Sequence, residues 1–90
     1  MTKKDKKIPS SYHVILMGDD RTPPDFLAEV LITLFQKQEE EALNLIVDAQ
    51  EKGEALCGTY SLEIAETKSA ETIEWARRQE FPLQCRMEKA

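Results

Sequence analysis

Six consecutive residues, Tyr12-His13-Val14-Ile15-Leu16-Met17, are dominated by aromatic, β-branched and aliphatic side chains, and Gly18-Asp19-Asp20 stops the run abruptly. Such a stretch fits a strand covered on both faces or one lying centrally in a small sheet. The remainder of the chain must supply the neighbours that cover it.

The period changes directly afterwards. Thr22 is suited to cap a helix, Pro23 has the fixed φ favoured at a first helical position, and Asp25 places negative charge in the first turn. Phe26, Val30, Leu31 and Leu34 then recur at helical spacing, widened by Leu27 and Phe35. A second helical stripe, Ala42, Leu43, Ile46, Val47 and Ala49, stops at Gly53, a residue suited to a left-handed cap. Ala55 to Tyr60 reads as a strand, with Gly58 marking a bulge or a close backbone approach.

Ser61 is placed to cap a third helix reaching about Glu80, with Leu62, Ala65, Ile73 and Ala76 as its apolar face. Pro82 ends it, because a residue before proline is pushed out of the helical region. The last segment alternates, with Leu83, Cys85 and Met87 on one face and Gln84, Arg86 and Glu88 on the other. The expected order is β-α-α-β-α-β, an α+β domain with a small three-stranded antiparallel sheet and helices packed on one side.

Ninety residues suffice for one such core and leave no room for a second domain. Residues 1–11 read as a flexible extension, and 12–90 as the folded unit. With 12 Lys+Arg against 17 Asp+Glu, the net charge of -5 disfavours nucleic acid as a partner. The basic start lacks the apolar stretch of a signal peptide and no run is long enough to span a bilayer, so a cytoplasmic protein is expected. Cys57 and Cys85 have no close Cys or His at metal-ligand spacing and read as reduced, buried thiols.

Three chemistries suit the pair Asp19-Asp20. Aspartates are common in solvated turns before helices. Acids after a hydrophobic strand can also form an oxygen-ligand cluster for magnesium or accept a phosphoryl group. Finally, carboxylates beside an apolar cavity can recognise a ligand's cation through charge-assisted hydrogen bonds. Catalysis has little else to stand on: His13 is the only histidine and lies inside the strand pattern, and the chain has neither a Gly-rich phosphate loop nor a cysteine with an evident base. No enzyme, metal or cofactor is expected.

Three stretches carry a resemblance that covers Tyr12 to the C-terminus. GDDRTPPDFLAEVL, EKGEALCGTYSLEIAETK and the terminal PLQCRMEKA are similar to the motifs of the ClpS family, the small adaptors of the Clp AAA+ protease. The resemblance implies an adaptor that binds the N-terminal residue of an N-degron substrate and delivers it to the unfoldase ClpA or its relative ClpC. Such substrates expose Phe, Tyr, Trp or Leu as first residue. It implies that Asp19 and Asp20 stand at the mouth of the site, that Thr22 lies near it, and that Leu27, Ile46, Ala49 and Leu83 line its cavity. Glu63 and Lys68 match positions that contact the N-terminal domain of the unfoldase.

The chain departs from the family's pattern where that site is concerned. Gly18 stands in place of an asparagine that holds the ligand's amino terminus, Gln50 in place of a histidine with the same task, and Pro24 in place of a methionine that gates against β-branched first residues. Weakened or altered first-residue selectivity is the expectation. A regulator that docks on the unfoldase without reading N-termini is the second reading, and a metal- or phosphate-dependent catalyst using Asp19 and Asp20 the third. A monomer is expected.

Overall fold

The computed structural model describes residues 10–90, and most of the assigned extension, residues 1–9, lies outside them. The chain runs β1 (Ser11–Met17), α1 (Pro24–Thr33), α2 (Glu39–Lys52), β2 (Glu54–Ser61), α3 (Leu62–Arg78) and β3 (Gln84–Lys89). This is the expected α+β order. The sheet is antiparallel with strand order β2-β1-β3, so the apolar run that opens the sequence is the central strand, paired on both edges.

Alternation along the strands assigns the two faces. Val14, Leu16, Ala55 and Cys57 point into the core, while the other face carries His13, Leu56 and an ion pair of Arg86 with Glu54 at 2.9 Å. The register slips between Val14 and Ile15, which face Gly58 and Leu56, so Cys57 is the extra residue of a bulge beside Gly58. The helices cover the inner face. α2 and α3 lie against the strands, and α1 packs on α2 and reaches α3 through Phe26, whose ring meets Trp75 and Phe81 edge-on at 5.3 and 5.0 Å. Such aromatic pairs add about 0.5–1.5 kcal/mol each beyond the area they bury.

Helix ends follow local chemistry where that chemistry is unambiguous. α2 starts with a capping box between Gln38 and Glu41 and ends at Gly53 with φ 85°, the left-handed cap its glycine makes inexpensive. Ser61 accepts from the Ile64 amide at the start of α3. Thr22 does not cap α1: the N-cap is Pro23, the helix opens at Pro24, and the Thr22 hydroxyl turns back to Asp19. The Asp19 carboxylate three residues upstream holds the hydroxyl by accepting its proton, and Pro23 takes the N-cap position.

α3 also differs from its expected face. Its buried row is Ala65, Ser69, Thr72 and Ala76, while Leu62 stands exposed. Small side chains let the helix approach the sheet closely, and the buried Thr72 hydroxyl is satisfied by donating to the Lys68 carbonyl at 2.8 Å. Among the described residues, no helix is long and apolar enough to cross a membrane.

Candidate functional site

The β1–α1 loop is shaped by Asp19. Its Oδ1 accepts from the amides of Arg21 at 2.8 Å and Thr22 at 2.7 Å, and its Oδ2 accepts from the Thr22 hydroxyl at 2.8 Å. Partial burial works to raise this carboxyl. The bonds from Arg21 and Thr22, with the Arg21 charge, overcome that effect and hold it below the usual aspartate value. Asp19 is therefore spent on the turn. Asp20 is exposed, and among the described residues no donor engages its carboxylate.

This loop is pinned to the end of α2. The Gly18 amide donates to the Gly53 carbonyl at 2.8 Å, and the Gly53 amide closes α2 on the Ala49 carbonyl at 3.1 Å. The approach is so close that a Cβ built at position 18 would run into the Ala49 carbonyl oxygen, so only glycine fits this backbone without a shift.

Between loop and helix end lies a cavity of ≈ 460 Å³, lined by Gly18, Asp19, Asp20, Thr22, Pro24, Ala49, Gln50 and Gly53. Its size falls within the range of about 300–1,000 Å³ common to small-ligand sites. Size alone does not single it out, since a hollow of ≈ 470 Å³ lies over Ala70, Ile73, Glu74, Arg77 and Arg78 on α3. Chemistry does. The free Asp20 carboxylate, the Gln50 amide oxygen and the C-terminal end of α2, where helix dipoles leave partial negative charge, converge on one space, an arrangement that favours a cation.

The residues expected at the site divide. Gly18, Asp19, Asp20, Thr22, Pro24, Ala49 and Gln50 come together around the cavity. Leu27, Ile46 and Leu83 do not line its open part: they are 5%, 6% and 1% exposed and belong to the hydrophobic core. Gly53, read from the sequence only as a helix cap, completes the wall. Its signal was the cap itself, which brings the end of α2 to the loop.

Glu63 and Lys68 part company too. Glu63 is exposed in the first turn of α3. Lys68 is half-buried: its ammonium donates to the Leu34 carbonyl at 2.5 Å and lies 5.8 and 5.4 Å from the ring centres of Phe35 and Tyr60. It ties the end of α1 to α3 and β2. Among the described residues, no three His, Cys, Asp or Glu side chains gather in a metal-binding group.

Comparison with known proteins settles the lineage. The family model of the ATP-dependent Clp protease adaptor protein ClpS matches residues 7–86. The chain belongs to the ClpS family. It is 44% identical over 88 residues to the ATP-dependent Clp protease adapter protein ClpS of Maricaulis maris, covering 98% of this chain and 81% of that protein. The ClpS of Vibrio cholerae is also 44% identical, over 93% of this chain and 79% of its own. Among solved structures, Agrobacterium tumefaciens ClpS2 bound to L-phenylalaninamide superposes with a TM-score of 0.89 at 31% identity, covering 92% of this chain and 100% of that one. The ClpS-family chain is thus a Clp protease adaptor, a non-catalytic role with a Clp unfoldase as partner.

Proposed function

We propose that this ClpS-family adaptor holds the N-terminal residue of N-degron substrates in the cavity between the β1–α1 loop and α2, with first-residue selectivity altered from the family's usual pattern. The observation that carries the reading is the convergence of Asp20, Gln50 and the end of α2 on one space beside Ala49 and Pro24. A free α-amino group has a pKa of about 7.7–8.0 and is largely cationic near neutrality. It matches this negative rim, and a large apolar first side chain fits beside it. L-phenylalaninamide, the ligand of Agrobacterium tumefaciens ClpS2, presents the same two groups: a free amine and an apolar ring.

Altered selectivity is supported at Gly18 and Pro24. Gly18 offers no side chain, and its seat on the Ala49 carbonyl leaves no room for one. Pro24 gives the rim a short rigid ring in place of a flexible gate. Leu27, Ile46 and Leu83 are buried in the core and add no open apolar wall to the cavity. Delivery goes to the N-terminal domain of a ClpA- or ClpC-type unfoldase through a face that includes Glu63, in the cytoplasm and as a monomer. Titrating peptides that differ only at residue one tests the reading. A profile without preference for Phe, Tyr, Trp or Leu and without dependence on a free amine refutes it.

One observation favours a second reading. Because the Asp19 carboxylate is occupied by Arg21 and Thr22, and Leu27, Ile46 and Leu83 belong to the core and not to the cavity wall, the chain would also suit a regulator that docks on the unfoldase and binds no N-terminus. Unfoldase binding that depends on Glu63, with no peptide binding at all, is the result that selects it.

A further inference from the structure

The chain enters β1 beside the start of α3. Ser11 pairs with Ser61, the residue that caps α3, and a hollow of ≈ 420 Å³ lies at this junction, lined by Ser10, Tyr12, Ser61, Leu62 and Glu63. Leu62 in its wall is 42% exposed. Glu63 and Glu66, three positions apart on one face of α3, are also exposed, and among the described residues neither takes part in an ion pair. The junction offers apolar surface with two carboxylates beside it.

One exposed leucine is ordinary on a protein surface. What sets this place apart is the segment that joins the fold there. Residues 1–9 lie outside the described part and meet it at Ser10, in the wall of the hollow. They carry Lys3, Lys4, Lys6 and Lys7 against Asp5, with Ile8-Pro9 immediately before the junction. Four of the chain's 12 Lys+Arg but one of its 17 Asp+Glu lie in this segment, which leaves the rest with 8 against 16. A basic segment is tethered to an acidic body.

We infer that residues 1–9 are the occupant of this hollow: Ile8 covers Leu62, and Lys6 and Lys7 pair with Glu63 and Glu66. Resting on the unfoldase-docking role of Glu63 above, the contact masks that residue until the unfoldase displaces the segment. Reach and charge fit. Ile8 is two residues from Ser10, about 7 Å of extended chain, and the following proline keeps it out of the helical region. Lys6 and Lys7 follow within about 14 Å, and Glu63 and Glu66 are about 4.5 Å apart along the axis of α3. The positive end of α3 disfavours a lysine, and Glu63 in its first turn offsets that field. Exposed ion pairs are weak one by one. The tether makes these contacts intramolecular, so they act together at a high effective concentration.

The test is nuclear magnetic resonance on the whole chain and on its Ile8→Ser and Lys6→Glu/Lys7→Glu variants, with affinity for the unfoldase's N-terminal domain measured in parallel. The parent should show Overhauser contacts between the Ile8 and Leu62 methyl groups. Ile8→Ser should shift the Leu62 signals, and charge reversal should shift the Glu63 and Glu66 amides while those of α2 stay fixed. The effect of charge reversal should shrink at about 1 M salt, where the screening length falls to about 3 Å. The charge-reversed chain should bind the unfoldase domain about two- to tenfold tighter than the parent. Absence of the contact between Ile8 and Leu62 overturns the proposal, as do contacts that fade on dilution and so belong to a second copy. Unchanged or weaker unfoldase binding by the charge-reversed chain overturns the masking. If Glu63→Lys leaves unfoldase binding intact, the docking role of Glu63 fails by itself, and the Ile8 and Leu62 signals still decide what occupies the hollow.

Discussion

Gly18 and Gly53 are joined by a 2.8 Å hydrogen bond from the Gly18 amide to the Gly53 carbonyl, and through it the end of the central strand is seated on the C-terminus of α2. Every element of the candidate site depends on that seat. It sets the width of the gap between the loop that carries Asp20 and the helix end that carries Gln50.

Gly18→Asn restores the residue type of the family's pattern and should not restore its chemistry. The new Cβ meets the Ala49 carbonyl, so loop and helix must separate. We predict a stability loss of about 1–3 kcal/mol, the usual cost of overpacking, seen as a lower urea midpoint, and weaker binding of L-phenylalaninamide. A variant that is as stable as the parent and binds more tightly contradicts this geometry.

The two neighbouring aspartates should behave differently on substitution. Asp20→Asn removes a charged acceptor and is expected to weaken amine binding by about 1.5–3 kcal/mol, tenfold or more, with little change in stability. Asp19→Ala should instead destabilise the fold, because it releases the amides of Arg21 and Thr22 and the buried Thr22 hydroxyl. Thermal melts and peptide titrations on both variants separate the roles.

Asp19 also gives a pH signature. Its folded carboxyl lies below its unfolded value, so across the acid window the unfolded chain binds more protons and stability rises with pH. The contribution is complete above the unfolded pKa of about 3.9 and is lost as pH falls through the depressed folded value. Asp19→Asn should flatten the acid limb of the stability curve, measured by urea unfolding from about pH 2 to 6. An unchanged limb places the Asp19 charge elsewhere.

Lys68 is expected to act through the fold. Replacing it with Met leaves the Leu34 carbonyl without its donor and removes the cation from Phe35 and Tyr60, so Lys68→Met should lower stability by about 1–3 kcal/mol. Glu63→Lys should leave the melting temperature unchanged and abolish unfoldase binding. Equal melts for the two variants contradict the assignment.

Burial pushes the Cys57 thiol up to about 12 and the Cys85 thiol up to about 11, so neither forms the thiolate that reacts near neutrality. Native protein near neutral pH should resist a thiol reagent over the time in which urea-unfolded protein reacts at both positions. Rapid labelling of the native chain would show that the inner face of the sheet opens.

Local chemistry made much of this fold legible. The apolar run of β1 fits a strand covered on both faces or lying centrally, and the second holds; Gly53 and Ser61 mark helix ends that call for a left-handed cap and an oxygen that accepts from an amide. What escaped the sequence depends on contacts between distant segments or on competition within a loop. Thr22 has the chemistry of a cap, yet its hydroxyl is turned to the Asp19 carboxylate and the helix begins one residue later, with Pro23 at the N-cap. Lys68 reads as a surface charge until the end of α1 is brought beside it. Ser69 and Thr72 look polar in a pattern of apolar positions, and only the close approach of α3 to the sheet gives them the buried row. At the site, adjacency of Asp19 and Asp20 suggested a pair acting together, whereas one builds the turn and the other remains available.

Recognition of a charged chain start is decided by calorimetric titration, near neutral pH, of a Phe-led peptide and its N-acetylated twin, identical in every other atom. The free amine should bind saturably and one-to-one, with binding lost on acetylation and weakened about tenfold or more by Asp20→Asn. Equal affinity for the two peptides, or full binding by the variant, would contradict the claim that this cavity reads the positive start of a polypeptide.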